Sequence, residues 1–320
     1  MSNPASAHNY DNLLADKRKA RRHADFKRTL PLILMMLPGI IYLLCNNYLP
    51  MFGILLAFKK VNFSIGIFQS PWVGFDNFRF LFATKDAAIM IRNTLLYNIV
   101  WIILGMVIAV FIAICMAEIS NRFAAKIIQP VICFPSMISA VILSYIVYAF
   151  LSKTYGYMNR TFFADHPIDW YNKAQYWPLI LTIVHFWQSS GQSSIIYMAA
   201  IGGIDKGLYE SARIDGAGKL KQIWYITLPM IRNMMILMLL LSIGRIFNSD
   251  FGLFYQVPLN SGLIYSTTQT IDTYVYRALL EMNNVGMSSA ASVFQAVLGF
   301  ILVVLSNAFV RVVDKESALF

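Results

Sequence analysis

Charge is scarce in this sequence. Only 13% of its 320 residues are Asp, Glu, Lys or Arg, against roughly 25% in an ordinary soluble domain. With 58% apolar residues, that deficit excludes a soluble globular chain and indicates an integral membrane protein. Cysteine is nearly absent. Cys45, Cys115 and Cys133 all lie in or beside apolar runs, in no metal spacing and no disulfide framework, and read as small buried hydrophobes. The four histidines, His8, His23, His166 and His185, are scattered without the close spacing of a zinc site. No arrangement of His, Cys and carboxylates suggests catalysis. Low-complexity segments and clear internal repeats are missing too. The first apolar run does not have the usual layout of a cleaved signal peptide. About thirty polar and basic residues precede it, and it is longer than an h-region of about 7–15 residues.

A phosphate-binding loop is also missing, although Gly216–Lys219 reads GAGK. The loop requires G-x-x-x-x-G-K-[ST]. Here Arg213 stands where the first glycine belongs, and Leu220 where the hydroxyl belongs. No apolar strand precedes the string.

Long apolar runs are what the chain does have. A bilayer core of about 30 Å needs about 20 apolar residues in a helix. Six runs qualify: Leu30–Tyr48, Leu95–Ala117, Ile127–Leu151, Trp177–Ile201, Met234–Phe247 (extended to Phe254) and Ala290–Val313. The fifth is interrupted by Arg245, Asn248 and Asp250. Their continuous apolarity predicts helices rather than alternating strands. The expectation is an all-α integral membrane protein with a basic tail, 1–29, and a six-span domain, 30–320.

Six spans put both ends on one side. The tail, the 2–3 loop, the 4–5 loop and the C-terminus carry 16 Lys and Arg, against 9 in the other three loops, with Arg245 inside a span. The richer side is expected to be cytoplasmic. The excess of basic residues, formally +10, then orients the chain or meets lipid headgroups; nucleic acid is not the expected partner. The other loops are aromatic, with Trp72, Phe75, Phe78, Phe80 and Phe82 in one and Trp170, Tyr171, Tyr176 and Trp177 in another. Such residues read as an interfacial belt, with a docking surface or a sugar-stacking platform as the alternative.

The 4–5 loop, residues 205–229, is too long for a tight connection and too patterned for disorder. Asp205 is a plausible N-cap. Leu208, Ala212 and Ile214 read as the apolar face of a short helix. Gly216 can take the left-handed conformation that ends it. A second short helix through Leu220, Ile223 and Trp224 is expected to close at Pro229.

Within this loop, Glu210, Ser211 and Ala212 are followed by three residues ending in Asp215, then by Gly216. Nine more lead to Ile226, Thr227, Leu228 and Pro229. This resembles the E-A-A–x3–G–x9–I-x-L-P motif of the permease subunits of binding-protein-dependent ABC importers. Only Ser211 departs from it. VGFDNFRFLF, RNTLLYN, IDTYVYRALL and the stretch from Val285 also resemble the carbohydrate branch, most of all its importers of oligosaccharides and similar polymers. The resemblance implies a type I ABC importer permease fold in a bacterial cytoplasmic (inner) membrane, with both termini cytoplasmic. It implies that Glu210 sits on a coupling helix docked in an ATP-binding subunit, paired with a basic residue there. Gly216 would shape the turn, with Ser211, Ala212, Asp215, Leu228 and Pro229 in the same segment. It further implies a second permease, a different chain by the habit of this branch, two ATP-binding subunits and a soluble solute-binding protein. ATP and Mg would bind those subunits; this chain would need no cofactor or metal and would catalyse nothing.

Polar groups inside spans are costly and point to a pathway. His185, Gln188, Ser189 and Gln192 share one face of the fourth run by their offsets of 3, 4 and 7. Arg245 and Asn248 lie in the fifth, and Ser292 and Gln295 in the sixth. Together they are candidates for lining a translocation cavity, in which Arg245 and His185 suit an anionic saccharide. Bonding between helices is the plainer alternative, and Arg245 could pair with Asp250. A secondary transporter driven by an ion gradient is the rival function. It calls for inverted repeats and broken helices around an ion site, which the sequence does not display.

Overall fold

A computed structural model describes residues 29–313 except Ser120. The basic tail, His8, His23 and the last seven residues lie outside the described residues. The described part is helical, without a β-strand; one isolated bridge joins Lys59 and Trp72. The chain divides at Leu55/Leu56 into two units. The described part of the first, 29–55, lies within an apolar helix, α1 (Thr29–Phe58). The second holds α2 (Lys85–Ala117), α3 (Arg122–Cys133), α4 (Ala140–Leu151), α5 (Trp177–Gly202), α6 (Lys206–Ile214), α7 (Lys219–Ile243), α8 (Phe251–Gln256), α9 (Ile271–Leu280) and α10 (Val285–Val313).

Among the described residues, four helices, α1, α2, α7 and α10, are long and apolar enough to cross a membrane. The third run of the sequence is not one straight span. Its halves α3 and α4 meet at 93°. Pro130 removes a helical donor inside α3, and Pro135 opens a 3₁₀ turn, Phe134–Met137. Ser139 then restarts the chain as the N-cap of α4. Prolines so placed kink or end a helix. The fourth run, α5, has 26 residues, about 39 Å at 1.5 Å per residue. It is long enough to cross, but Gln188–Ser194 makes it too polar to qualify by composition.

The fifth run also differs from expectation. Pro229 does not close a separate short helix. α7 runs unbroken from Lys219 to Ile243, with a π-turn at Ile223–Thr227 just before the proline. The wider turn re-registers the hydrogen bonds where Pro229 has no N–H to give. α1 repeats the device, with a π-turn at Leu44–Tyr48 before Pro50. At its other end α7 stops at Ile243, short of Phe247.

Three apolar clusters hold the second unit together. Tyr97, Trp101, Leu143, Trp177 and Phe254 join α2, α4, α5 and α8. Ala87, Met90, Ile271 and Ala291 join the start of α2 to α9 and α10. Ala113, Tyr197, Ile201 and Ile231 join the far end of α2 to α5 and α7. α5 crosses α3 so closely that a Cβ on Gly191 would lie 2.1 Å from the carbonyl oxygen of Ile132. Only glycine fits there. The loop aromatics pack on one another: Trp170 on Tyr176, Tyr171 on Trp177, and Phe58, Phe75 and Phe78 in a triangle.

Candidate functional site

α2, α5 and α7 enclose a cavity of about 690 Å³. α2 contributes Asn98, Trp101, Gly105 and Met106; α5 contributes His185, Ser189, Ser190, Ser193 and Tyr197; α7 contributes Met238, Leu239 and Ser242. The segment after α7 adds Arg245, Asn248, Ser249 and Asp250. The cavity is therefore most polar where α7 ends and mixed farther along, where serines of α5 stand among Met106, Met238 and Leu239. The His185 ring lies flat on Trp101, 3.7 Å between centroids and 6° between planes. That stack fixes both rings at the wall. Arg245 is exposed and makes no ion pair with Asp250 or any other described carboxylate. Asp250 instead caps α8, accepting from the N–H of Leu253 at 3.0 Å.

Of the sequence-derived pathway residues, His185, Ser189, Arg245 and Asn248 meet at this cavity. The other four do not line it. Gln188 turns to the break in the third run and donates to the carbonyl of Ile138 at 3.1 Å. Gln192 is exposed elsewhere. Ser292 bonds back to the carbonyl of Ser288. Gln295 is buried and donates to the carbonyl of Phe247 at 2.8 Å. Gln188 and Gln295 thus satisfy carbonyls left over where helices break or end, a need that grows in an apolar setting. Offsets of 3, 4 and 7 span about 100° of a helix, and the cavity takes only one edge of that arc. Trp101, Asn98 and Ser193 were not anticipated. The polar positions of NTLLYN, Asn93, Thr94 and Asn98, were the available signal in the second run.

Past the polar end, the structure is tightly bonded. Asp272 Oδ2 accepts from the N–H of Ser249 at 2.6 Å and lies 2.8 Å from its Oγ, which is 2.8 Å from Thr270 Oγ1. Asn98 donates to the carbonyl of Asn248 at 2.9 Å. Thr94 accepts from the N–H of Ile271 at 3.0 Å, and Asn93 donates to the carbonyls of Ser266 and Gln269. These bonds tie α2 and the start of α9 to the segment that follows α7.

The motif segment lies at the opposite end of α7. Asp205 caps α6, accepting from the N–H of Gly207 at 3.0 Å. α6 ends in a Schellman turn: Gly216 N–H donates to Arg213 O at 3.0 Å and Ala217 N–H to Ala212 O at 2.8 Å, the pattern of that motif. Gly216 has φ +77°, and a Cβ there would meet nothing within 4 Å. Glycine is needed for its backbone, not for space. Tyr209 Oη, 3.0 Å from Thr227 Oγ1, ties α6 to α7. Glu210, Ser211, Asp215 and Pro229 are exposed, and Ala212 and Leu228 half-buried. Ile214, Leu220, Trp224 and Tyr225 are exposed as well.

Residues 105–317 match the family described as binding-protein-dependent transport system inner membrane component. Among curated proteins, the chain is 33% identical over 288 residues to the polygalacturonan/rhamnogalacturonan transport system permease protein YteP of Bacillus subtilis (strain 168), covering 89% of each. Among solved structures it is similar to a chain of a bacterial ABC transporter involved in the import of the acidic polysaccharide alginate. The TM-score there is 0.82 at 30% identity, over 92% of this chain and 99% of that one. A second structure, of the alginate transporter with an alginate pentasaccharide-bound periplasmic protein, gives a TM-score of 0.81 at 30% identity, over 91% of this chain and 98% of that one.

Proposed function

The chain belongs to the family of binding-protein-dependent transport system inner membrane components, and from that premise we propose that it forms half of the import path for an acidic oligosaccharide. As a permease it is a membrane-spanning, multi-pass subunit, and ATP hydrolysis resides in separate ATP-binding subunits. The ion-gradient alternative has no finding in its favour.

The observation that carries the substrate reading is the cavity. It holds an arginine without an ion pair, a ring wall of Trp101 and His185, and several hydroxyls and amides. Aromatic faces suit sugar rings, hydroxyls suit sugar hydroxyls, and a guanidinium suits a carboxylate. Relatives named for polygalacturonan and alginate support the same class. An alginate-like chain fits this chemistry.

The rest of the assembly follows from the family. The partner is a second, different permease, and a solute-binding protein delivers the sugar. Glu210, Ser211, Ala212, Asp215 and Gly216 dock on an ATP-binding subunit, with Leu228 and Pro229 anchoring the segment to α7. ATP and Mg bind on that subunit, and this chain carries no cofactor. The side with 16 Lys and Arg is cytoplasmic, as are both termini. ATP-driven closure of the partner moves residues 205–229 and rocks the spans between inward-open and outward-open forms.

The test is reconstitution with co-expressed partners. Binding protein loaded with uronic-acid oligosaccharides is expected to stimulate ATP hydrolysis, and binding protein with neutral oligosaccharides is not. In Arg245→Gln the acidic substrate should lose stimulation while assembly persists. Equal stimulation by neutral sugars, unchanged in Arg245→Gln, would reject the acidic assignment.

A further inference from the structure

We propose that the ion pair between Glu118 and Lys219 is a latch that carries movement of the motif segment to α2. The proposal rests on reading residues 205–229 as the segment that docks the ATP-binding subunit. Glu118 is the C-cap of α2, and Lys219 is the first residue of α7, directly after the Gly216–Gly218 turn. The two are 101 positions apart in sequence, yet their side chains pair. They lie in a cleft of about 420 Å³ that Lys206, Glu210 and Arg213 also line. The cleft thus gathers three cations and two carboxylates in its lining, of which Lys219 and Glu118 are paired. A partner that captures Glu210 changes the field in which this pair sits.

The other end of α2 makes the pair more than a surface contact. α2 is an unbroken helix of 33 residues. Its residues Thr94 and Asn98 hold the N–H of Ile271 and the carbonyl of Asn248, tying it to α9 and to the polar end of the cavity. Asn98 and Glu118 are twenty positions apart, about 30 Å along a helix. α2 is therefore tied by hydrogen bonds at the polar end of the cavity and by an ion pair at the motif segment. A shift of Lys219 pulls on the helix whose other end is bonded at that polar end.

Both side chains are about half exposed, 55% for Lys219 and 40% for Glu118. A pair so exposed adds little to folding, so variants should fold. It can still bias two arrangements of the segment by up to about fivefold. Glu118 and Lys219 are positioning residues; neither meets the transported sugar.

The experiment uses the whole importer in proteoliposomes, with a uronic-acid oligosaccharide on the binding protein. The readout is substrate moved per ATP hydrolysed. Glu118→Lys and Lys219→Glu are each expected to lower that ratio about fivefold, through idle hydrolysis, with the ATP-binding subunits retained. The double variant Glu118→Lys/Lys219→Glu should return to within about twofold of wild type, since coupling energies of contacting pairs are non-additive. Single variants at the wild-type ratio would overturn the proposal. So would a double variant no better than the singles, or single variants that shed the ATP-binding subunits without rescue. Failure of the docking reading looks different: Glu210→Lys would then keep its ATP-binding subunits.

Discussion

The two ends of α7 differ in how complete they are. At its C-terminal end the backbone groups are taken up by side chains from distant segments of the chain, while Arg245 stays exposed and without an ion pair. Gln295 takes the carbonyl of Phe247, Asn98 that of Asn248, and Asp272 the N–H of Ser249. At its N-terminal end the bonds are mostly local, within residues 205–227, and large apolar side chains face outward: Ile214 is 87% exposed, Leu220 74% and Tyr225 80%. Exposed apolar side chains beside charged ones are what an interaction surface looks like before its partner arrives. On the proposed function, one end ties distant segments together and the other meets the partner that moves it. A transport subunit driven from outside needs both.

The largest effect is expected where the incomplete end meets its partner. On the proposed docking, Glu210→Lys would replace an ion pair with the ATP-binding subunit by repulsion, and breaking such a buried pair costs on the order of 3–5 kcal/mol. Co-purification should lose the ATP-binding subunits, and stimulated hydrolysis should fall by about a hundredfold or more. If assembly and hydrolysis persist, the motif segment is not the docking element.

Next comes the complete end. Asp272→Ala removes the acceptor of the Ser249 bonds. Hydrogen bonds to a charged group contribute about 1.5–3 kcal/mol, so the closed form should weaken by roughly 10- to 100-fold. Raised hydrolysis without binding protein and leak of sugar through liposomes are the measurements. An unchanged leak would mean that other contacts close the cavity.

A smaller effect belongs to the turn. At Gly216 only the backbone objects to a side chain, because no atom lies within 4 Å of the added Cβ. A left-handed residue costs about 1–2 kcal/mol, so Gly216→Val should lower uptake by roughly 5- to 30-fold while the protein still inserts. Gly216→Asn should retain most activity, since asparagine tolerates this conformation. Equal uptake by the two variants would show that φ is not what matters.

The motif segment was the more legible of the two ends. Its cap, its turn and its glycine are local signals, each decided within a few residues, and Asp205, Gly216 and the Schellman bonds follow from them. The apolar runs were legible for the same reason. Less legible were features set by packing between distant segments. Nothing within Ile127–Leu151 alone says that Pro130 and Pro135 together turn the chain by 93°. Gln188 and Gln295 look like pathway residues in a linear reading because a polar group in an apolar run can line a path or satisfy a carbonyl. Only the neighbours, Ile138 and Phe247, decide between the two. Asn98 and Trp101 escaped notice because α5 and α7 complete the cavity from far along the chain.

Accessibility of the cavity wall is the most direct check. In a background without Cys45, Cys115 and Cys133, single cysteines would replace Ser189, Ser193 and Gln188 in the assembled importer. A water-soluble thiol reagent reacts with thiolate in contact with water. Ser189→Cys and Ser193→Cys, on the cavity face, should label readily, and the rate should change when ATP and sugar-loaded binding protein are added. Gln188→Cys, facing the break at Ile138, should label slowly in every state. Labelling of all three at similar rates, indifferent to ATP, would contradict the placement of the transport path between α2, α5 and α7.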